Sequence, residues 1–183
     1  MKIGVLPIGQ VEEAVLLRIN EGVTRVFPNT TGTVVDEKMV FRETAFDEKR
    51  KQYRSHTILG DVQGYALKNP DLNCVLGVVD ADIFVPQLNF VFGEAVYPGR
   101  AALISLWRLR PKFYGEVPDI KLFYDRAVKE AVHELGHTLG LRHCSRAQCV
   151  MHFSNSISDT DVKQRPFCDK CYLHVKTSIE RLG

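Results

Sequence analysis

Three histidines and a glutamate, His133-Glu134-x-x-His137 followed by His143, constrain this chain of 183 residues more than any other feature. Residues four apart on an α-helix lie one turn from each other on the same face, so His133 and His137 can aim their imidazoles at one point only if this segment is helical. The surrounding sequence agrees: Asp119 can cap a helix, and no proline stands between it and Gly140, which predicts one long helix through Leu139. On a straight continuation His143 would lie about 15 Å beyond His133 and about 9 Å beyond His137. It reaches the same point only if the chain turns back, and Gly140 tolerates the left-handed backbone that ends helices. A long helix, a sharp turn and a returning irregular segment are therefore expected.

Three imidazoles so placed suit a zinc ion, with bonds of about 2 Å and a fourth position left open. At this chain's composition the bare H-E-x-x-H pattern arises by chance about 1% of the time, and requiring Gly140 and His143 as well lowers that to about 1 in 30,000. Glu134 adjoins a ligand on the same helix, where it can receive a proton from metal-activated water without occupying a coordination position. The ordinary alternative for Glu134 is a surface carboxylate paired with Lys129 or Arg126. Neutral nitrogens leave the metal's charge undiminished, which lowers the pKa of bound water towards about 7. The expected reaction is attack of that water on a polarised carbonyl, with Glu134 as general base and then as proton donor to the leaving amine.

Around this helix the pattern alternates between strand and helix. Residues 1–8 read as a strand, 10–22 as an amphipathic helix with Gly22 as its stop, and 23–27 as a return to strand before a turn at Pro28. A short strand is expected within 33–41, then a charged, solvated connector over 42–54 and a helix over 55–67. The continuous apolar run Cys-Val-Leu-Gly-Val-Val at 74–79 has the composition of a strand buried on both faces. Strands at 89–96 and 101–109 follow, and the last helix is expected from about Asp159 to Arg181 despite Pro166. This order predicts an α/β (α+β) chain with a mixed sheet and helices against it.

Lys plus Arg number 24 against 22 Asp plus Glu, a net charge of +2, which argues against a protein that coats nucleic acid. No apolar run approaches the roughly 18 residues of a membrane helix. The opening Met-Lys-Ile-Gly-Val-Leu-Pro-Ile-Gly is interrupted by Pro7 and Gly9 and followed by Glu12 and Glu13, so it is expected to be a first strand rather than a secretion signal. A cytoplasmic monomer with neither nucleic-acid nor membrane partners is the expectation. Of five cysteines, Cys74 lies in the apolar run and four crowd into 144–171, a cluster with a task plus one buried small hydrophobe.

The string His-Glu-Leu-Gly-His-Thr-Leu-Gly-Leu-Arg-His, continued by Cys144, Cys149, Val150 and Met151 and then by Phe167-Cys168-Asp169-Lys170-Cys171, closely resembles the archaemetzincin family of the metzincin zinc metallopeptidases. The resemblance runs the length of the chain and includes Asn-Phe-Val-Phe-Gly-Glu-Ala at 89–95. It implies a metzincin-like zincin fold: a mixed, mostly parallel twisted sheet, an antiparallel edge strand over the cleft, a long active-site helix and a C-terminal helix. It implies a single metallopeptidase domain over 1–183, with an N-terminal lobe at 1–140 and a small C-terminal lobe at 141–183. It also implies His133, His137 and His143 as ligands of a catalytic zinc, Glu134 as general base, and Met151 in the turn beneath the metal. Metzincins align an extended peptide against an edge strand, which here would be carried by Phe90, Val91, Phe92, Gly93 and Glu94. Glu94 would then meet a basic group or amine, or simply guard the edge. Many metzincins carry a tyrosine shortly after the methionine that assists the transition state; here His152 and Phe153 follow, and His152 is either a substitute or a packing residue.

Cys144-x4-Cys149 and Cys168-x2-Cys171 have spacings close to those of a four-thiolate structural zinc, which would bring the total to two zinc ions per subunit. Disulfides and a redox pair are the rivals; a redox pair leaves Cys144 and Cys149 unused. Cys144 adjoins His143 and Cys149 stands two before Met151, so this site would brace the catalytic one. Zinc-dependent hydrolysis of peptides or proteins is the leading function, and a catalytically weak, zinc-stabilised binding protein is the alternative.

Overall fold

The computed structural model describes residues 1–182. Five strands form the main sheet: β1 (Lys2–Ile8), β2 (Thr31–Val34), β5 (Cys74–Val79), β7 (Gly93–Ala95) and β8 (Ala101–Ser105). Their order is β2-β1-β5-β8-β7, parallel at every pairing except the antiparallel β8–β7 edge. The mostly parallel sheet with one antiparallel edge strand is thus as expected. Alternation along the strands divides the core in two. Val5, Leu76, Val78, Ala102 and Ile104 face α1 (Glu13–Val26) and α3 (Ile120–Thr138), whereas Leu6, Val75, Val79, Ala101 and Leu103 face α2 (Ser55–Lys68). Every residue of β5 is buried, which is why its sequence shows no polar alternation.

Helix α1 does not stop at Gly22 but continues to Val26, and the strand expected at 23–27 is its last turn. Val23 extends the buried stripe of Leu16 and Ile19. Gly22 serves close packing instead: a Cβ there would lie 2.5 Å from Cγ2 of Val128 on α3. The charged connector is more ordered than expected. It supplies β3 (Phe46–Asp47) and β4 (Gln52–Arg54), which join β6 (Ile83–Phe84) in a small second sheet. Arg50 from this stretch donates to the carbonyls of Leu88 and Asn89 and lies 3.9 Å over the Phe84 ring, fastening the loop that leads into β7.

The strand expected over 101–109 ends at Ser105, because the chain turns into two short 3-10 segments anchored by Arg108 on Asp82 and Arg110 on Asp80, each a two-pronged pair at 2.6–2.7 Å. The last helix is also divided. α4 (Ile157–Val162) starts with a capping box of Ser156 and Asp159, the chain then runs through Pro166, and α5 is Asp169–Glu180. Residues beyond Gly140 enter the core shared by α1 and α3; Phe167 packs edge-to-face on Phe27 at 5.3 Å. Among the described residues no helix is long and apolar enough to cross a membrane.

Candidate active site

Helix α3 begins at Asp119, whose Oδ1 accepts hydrogen bonds from the backbone N–H groups of Lys121 (2.9 Å) and Leu122 (3.0 Å). It ends in a left-handed Gly140 at φ +85°. There the N–H of Gly140 donates to the His137 carbonyl and that of Leu141 to the Gly136 carbonyl, at 2.9 and 3.1 Å, the pattern of a Schellman cap. This reversal carries His143 back over the helix, to ring-centroid distances of 5.3 Å from His133 and 4.9 Å from His137. One ring nitrogen of each of the three lies within 4.8 Å of the others.

The arrangement fits a zinc ion in its details. Nε2 of His133 and Nε2 of His137 are 3.1 Å apart, close to the ~3.3 Å that two nitrogens subtend at a tetrahedral zinc with bonds of about 2.0–2.1 Å. Nδ1 of His133 donates to the Val150 carbonyl at 2.8 Å and Nδ1 of His137 to the Leu141 carbonyl at 2.7 Å. A carbonyl can only accept, so both rings are held in the tautomer that presents a bare Nε2 to the common point. Burial lowers the pKa of all three histidines, His133 most of all, and thereby favours the neutral form that binds metal.

Glu134 projects from the same turn into a cleft of ≈ 430 Å³ between α3 and the sheet edge. It is 6% exposed and has no ion-pair partner among the described residues: Arg126 is paired with Asp161 and Lys129 with Asp125. Burial pushes its carboxyl well above the usual range, the nearby Glu130 carboxylate adds to this, and Lys163 opposes it. Phe90, Val91, Phe92, Gly93 and Glu94 all line the cleft, although only Gly93–Ala95 forms the ladder with β8. Glu94 accepts a hydrogen bond from Ser55 Oγ at 2.6 Å. Phe153, Ser154 and Asn155 make the opposite wall.

Two glycines allow this closeness. A Cβ at Gly136 would meet Met151 Sδ at 2.5 Å, so the fully buried methionine sits directly under the helix turn between the histidines. A Cβ at Gly93 would meet Glu134 Cγ and the Leu103 carbonyl oxygen, both at 2.6 Å. The carbonyl belongs to the neighbouring strand and cannot yield, so Gly93→Ala should displace Glu134 or the edge strand. Peptide turnover is expected to fall by about tenfold to a hundredfold, the cost of misplacing a reacting group by about an ångström, with metal content unchanged. Turnover equal to wild type would show that Glu134 does not depend on this contact.

Cys144, Cys149, Cys168 and Cys171 gather beside the returning loop, with their sulfurs within 4.8 Å of one another, and all five cysteines are free thiols. Sγ of Cys144 and Sγ of Cys168 are 3.8 Å apart, matching the ~3.8 Å edge of a tetrahedron of zinc–sulfur bonds of about 2.3 Å. Backbone N–H groups of Arg146 and Cys168 point at the sulfurs of Cys144 and Cys149. For Cys168 burial opposes ionisation, but hydrogen bonds from the Cys171 backbone and from the other three thiols outweigh it and bring the thiol down to about 7. Burial and the neighbouring sulfurs raise Cys149 and Cys171. Four thiols at this spacing can all ionise together only with a cation among them, which fits a metal of the zinc type. The loops are tied as well: Cys144 N–H donates to the Met151 carbonyl and His152 Nδ1 to the Cys144 carbonyl, both at 2.8 Å. His152 thus braces the loop that bears His143.

Two groups near the cleft carry no mark in the sequence. Glu130 and Lys163, both buried, pair at 2.9 Å, with Thr160 donating to the same carboxylate oxygen at 3.0 Å. Tyr97 places its ring 6.2 Å from that of His137.

Residues 20–177 match the model of peptidase family M54. The archaemetzincin of Pyrococcus abyssi is 50% identical to this chain over 138 residues, 75% of this chain and 72% of that protein. The archaemetzincin of Pyrococcus furiosus is 42% identical over 183 residues, covering 98% of this chain and 93% of the relative. The crystal structure of archaemetzincin from Methanopyrus kandleri matches with a TM-score of 0.84 at 33% identity, covering 99% of this chain and 96% of that one.

Proposed function

Since the chain belongs to peptidase family M54, the archaemetzincins, and is a zinc metallopeptidase, we propose that it hydrolyses peptide bonds in the cleft over α3, with Glu134 as the group that moves the proton. The observation that carries this reading is the convergence of three imidazole nitrogens within 4.8 Å of one another beside a buried carboxylate on the same helix. His133, His137 and His143 would hold the catalytic zinc, which when bound supplies a Lewis acid for the scissile carbonyl and acidifies water. Backbone groups of the edge strand from Phe90 to Glu94 align an extended peptide antiparallel to β7, so that affinity comes from main-chain pairing. Glu134 accepts the proton of the attacking water on a carboxylate oxygen and passes it to the leaving amine nitrogen. Met151 supports the helix turn between His133 and His137 from below. Cys144, Cys149, Cys168 and Cys171 would hold a second, structural zinc that takes no part in the chemistry. Their free thiols suit a reducing compartment such as the cytoplasm.

Thiolates donate more charge than neutral imidazoles, so dialysis against a mild chelator should empty the three-histidine site first. The expected result is one zinc per chain, native circular dichroism and no cleavage of a diverse peptide library, with cleavage returning when zinc is restored. Undiminished cleavage with the three-histidine site empty would reject the proposed chemistry. A disulfide between any two of the four clustered cysteines in anaerobically prepared protein would reject the four-thiolate site.

A further inference from the structure

Past His137 and His143 the cleft opens into a shallow basin of ≈ 470 Å³, lined by Ala95, Tyr97, Arg142 and those two histidines. Arg142 is fixed there by its neighbour: Tyr97 Oη donates to the Gly140 carbonyl at 3.1 Å and accepts from Arg142 Nε at 3.3 Å. That contact uses one nitrogen and leaves both terminal nitrogens of the guanidinium, which have no carboxylate partner among the described residues. Other arginines around the sheet and α3 are matched, Arg108 with Asp82, Arg110 with Asp80, Arg126 with Asp161 and Arg165 with Asp125. A second basin adjoins the first and adds Arg146, Lys170 and His174, and neither lining contains an aspartate or glutamate. Among the residues lining the first basin, Arg142 is the one with a permanent charge, whereas in the second basin Arg146 and Lys170 stand beside Cys144, Cys168 and Cys171.

β7 runs from Gly93 to Ala95 towards Tyr97, so a peptide lying antiparallel to it places the residues before the scissile bond beside Ala95 and Arg142. We propose that Arg142, held by Tyr97, forms a subsite for an acidic side chain on the N-terminal side of the cleaved bond, making peptides with Asp or Glu just upstream of that bond the preferred substrates. The proposal rests on the peptidase reading above and on the antiparallel pairing it includes. A planar guanidinium with two free nitrogens matches a carboxylate in a two-pronged pair, and a lysine at 142 would not reproduce this. The competing explanation is that these cations offset the negative charge of a four-thiolate zinc. For Arg142 the geometry is against it, since its guanidinium is fastened to a phenol, and the hydrogen bonds to sulfur come from backbone N–H groups.

Peptide pairs that differ only by Asp or Asn upstream of the cleaved bond test this in two ways: equilibrium binding to zinc-loaded Glu134→Gln protein, and kcat/KM for the wild type. The acidic peptide should be favoured about three- to tenfold in both at low salt, and the preference should fade by about 0.5 M salt because the subsite is open to solvent. Arg142→Gln should bring the ratio to about one, and Arg142→Glu should reverse it in favour of a lysine-containing peptide. An unchanged ratio in Arg142→Gln overturns the proposal, as does loss of zinc from the four-cysteine site in that variant, which would identify Arg142 as a counter-charge. Cleavage without an acidic preference removes the subsite alone. Preferential binding of the acidic peptide with no cleavage of any peptide removes the hydrolytic reading and leaves the subsite standing, whereas binding of neither peptide removes both.

Discussion

Glu134→Gln should retain fold and zinc while lowering peptide turnover by roughly 10²–10⁴-fold, the usual loss when a general acid–base group is removed. Glutamine has the shape of glutamate but cannot accept the proton. Fold should not suffer, because the amide fills the same buried space between α3 and the edge strand without a charge to desolvate. Zinc content should be unchanged, since the nitrogens that converge belong to His133, His137 and His143. Turnover and unfolding midpoint measured on the same zinc-analysed preparation check this. Equal rates for wild type and variant, with contaminating peptidase excluded, would remove Glu134 from the mechanism.

Cys171→Ser is expected to damage two sites at once. Structural zinc binding contributes about 10–16 kcal/mol to small zinc domains, as much as the whole folding free energy of many proteins, so losing one of four thiolates should loosen α5 and the loops before it. Cys144, in the same cluster, is bonded through its backbone N–H to the Met151 carbonyl and follows His143 directly, so the damage should pass to the three-histidine site. Its zinc affinity should fall by about 10–100-fold, the range seen when groups that orient ligands are removed. His133 and His137, on a helix capped at both ends, remain able to bind metal, so activity should fall further than helix content. Zinc affinity, peptidase rate and circular dichroism of the folded variant decide the matter. Unchanged affinity and rate would mean that the two sites are independent and that the cysteines only fasten the C-terminal helix.

The parts of this molecule that were legible in the sequence are those decided by neighbours in the chain. Asp119 capping α3, the reversal at Gly140 and the doubly buried run of β5 each depend on a few adjacent residues, and the structure follows them closely. Gly22 read as a helix stop because the residue it accommodates, Val128, lies more than a hundred positions away. For the same reason the burial of Arg126 and Lys163 left no trace in the sequence, since their partners Asp161 and Glu130 are distant in the chain. The break at Pro166 was visible, yet one helix was expected across it; the chain instead forms α4, which buries only Thr160, and α5, which buries Cys171, Val175 and Ile179. The spacings of the histidines and cysteines pointed to two clusters; the contact between those clusters, through Met151 and Cys144, needed coordinates.

Gly93 has a consequence for how such an enzyme can diversify. With no side chain where the edge strand crosses Glu134, a bound peptide would meet bare main chain at the point of reaction and find little there that tells one sequence from another. Discrimination would then fall to side chains elsewhere around the cleft, Phe153, Ser154 and Asn155 across from the strand and Tyr97 and Arg142 past the histidines. Substitutions at those positions would retarget the enzyme towards new peptides while the residues over the reacting bond stay as they are.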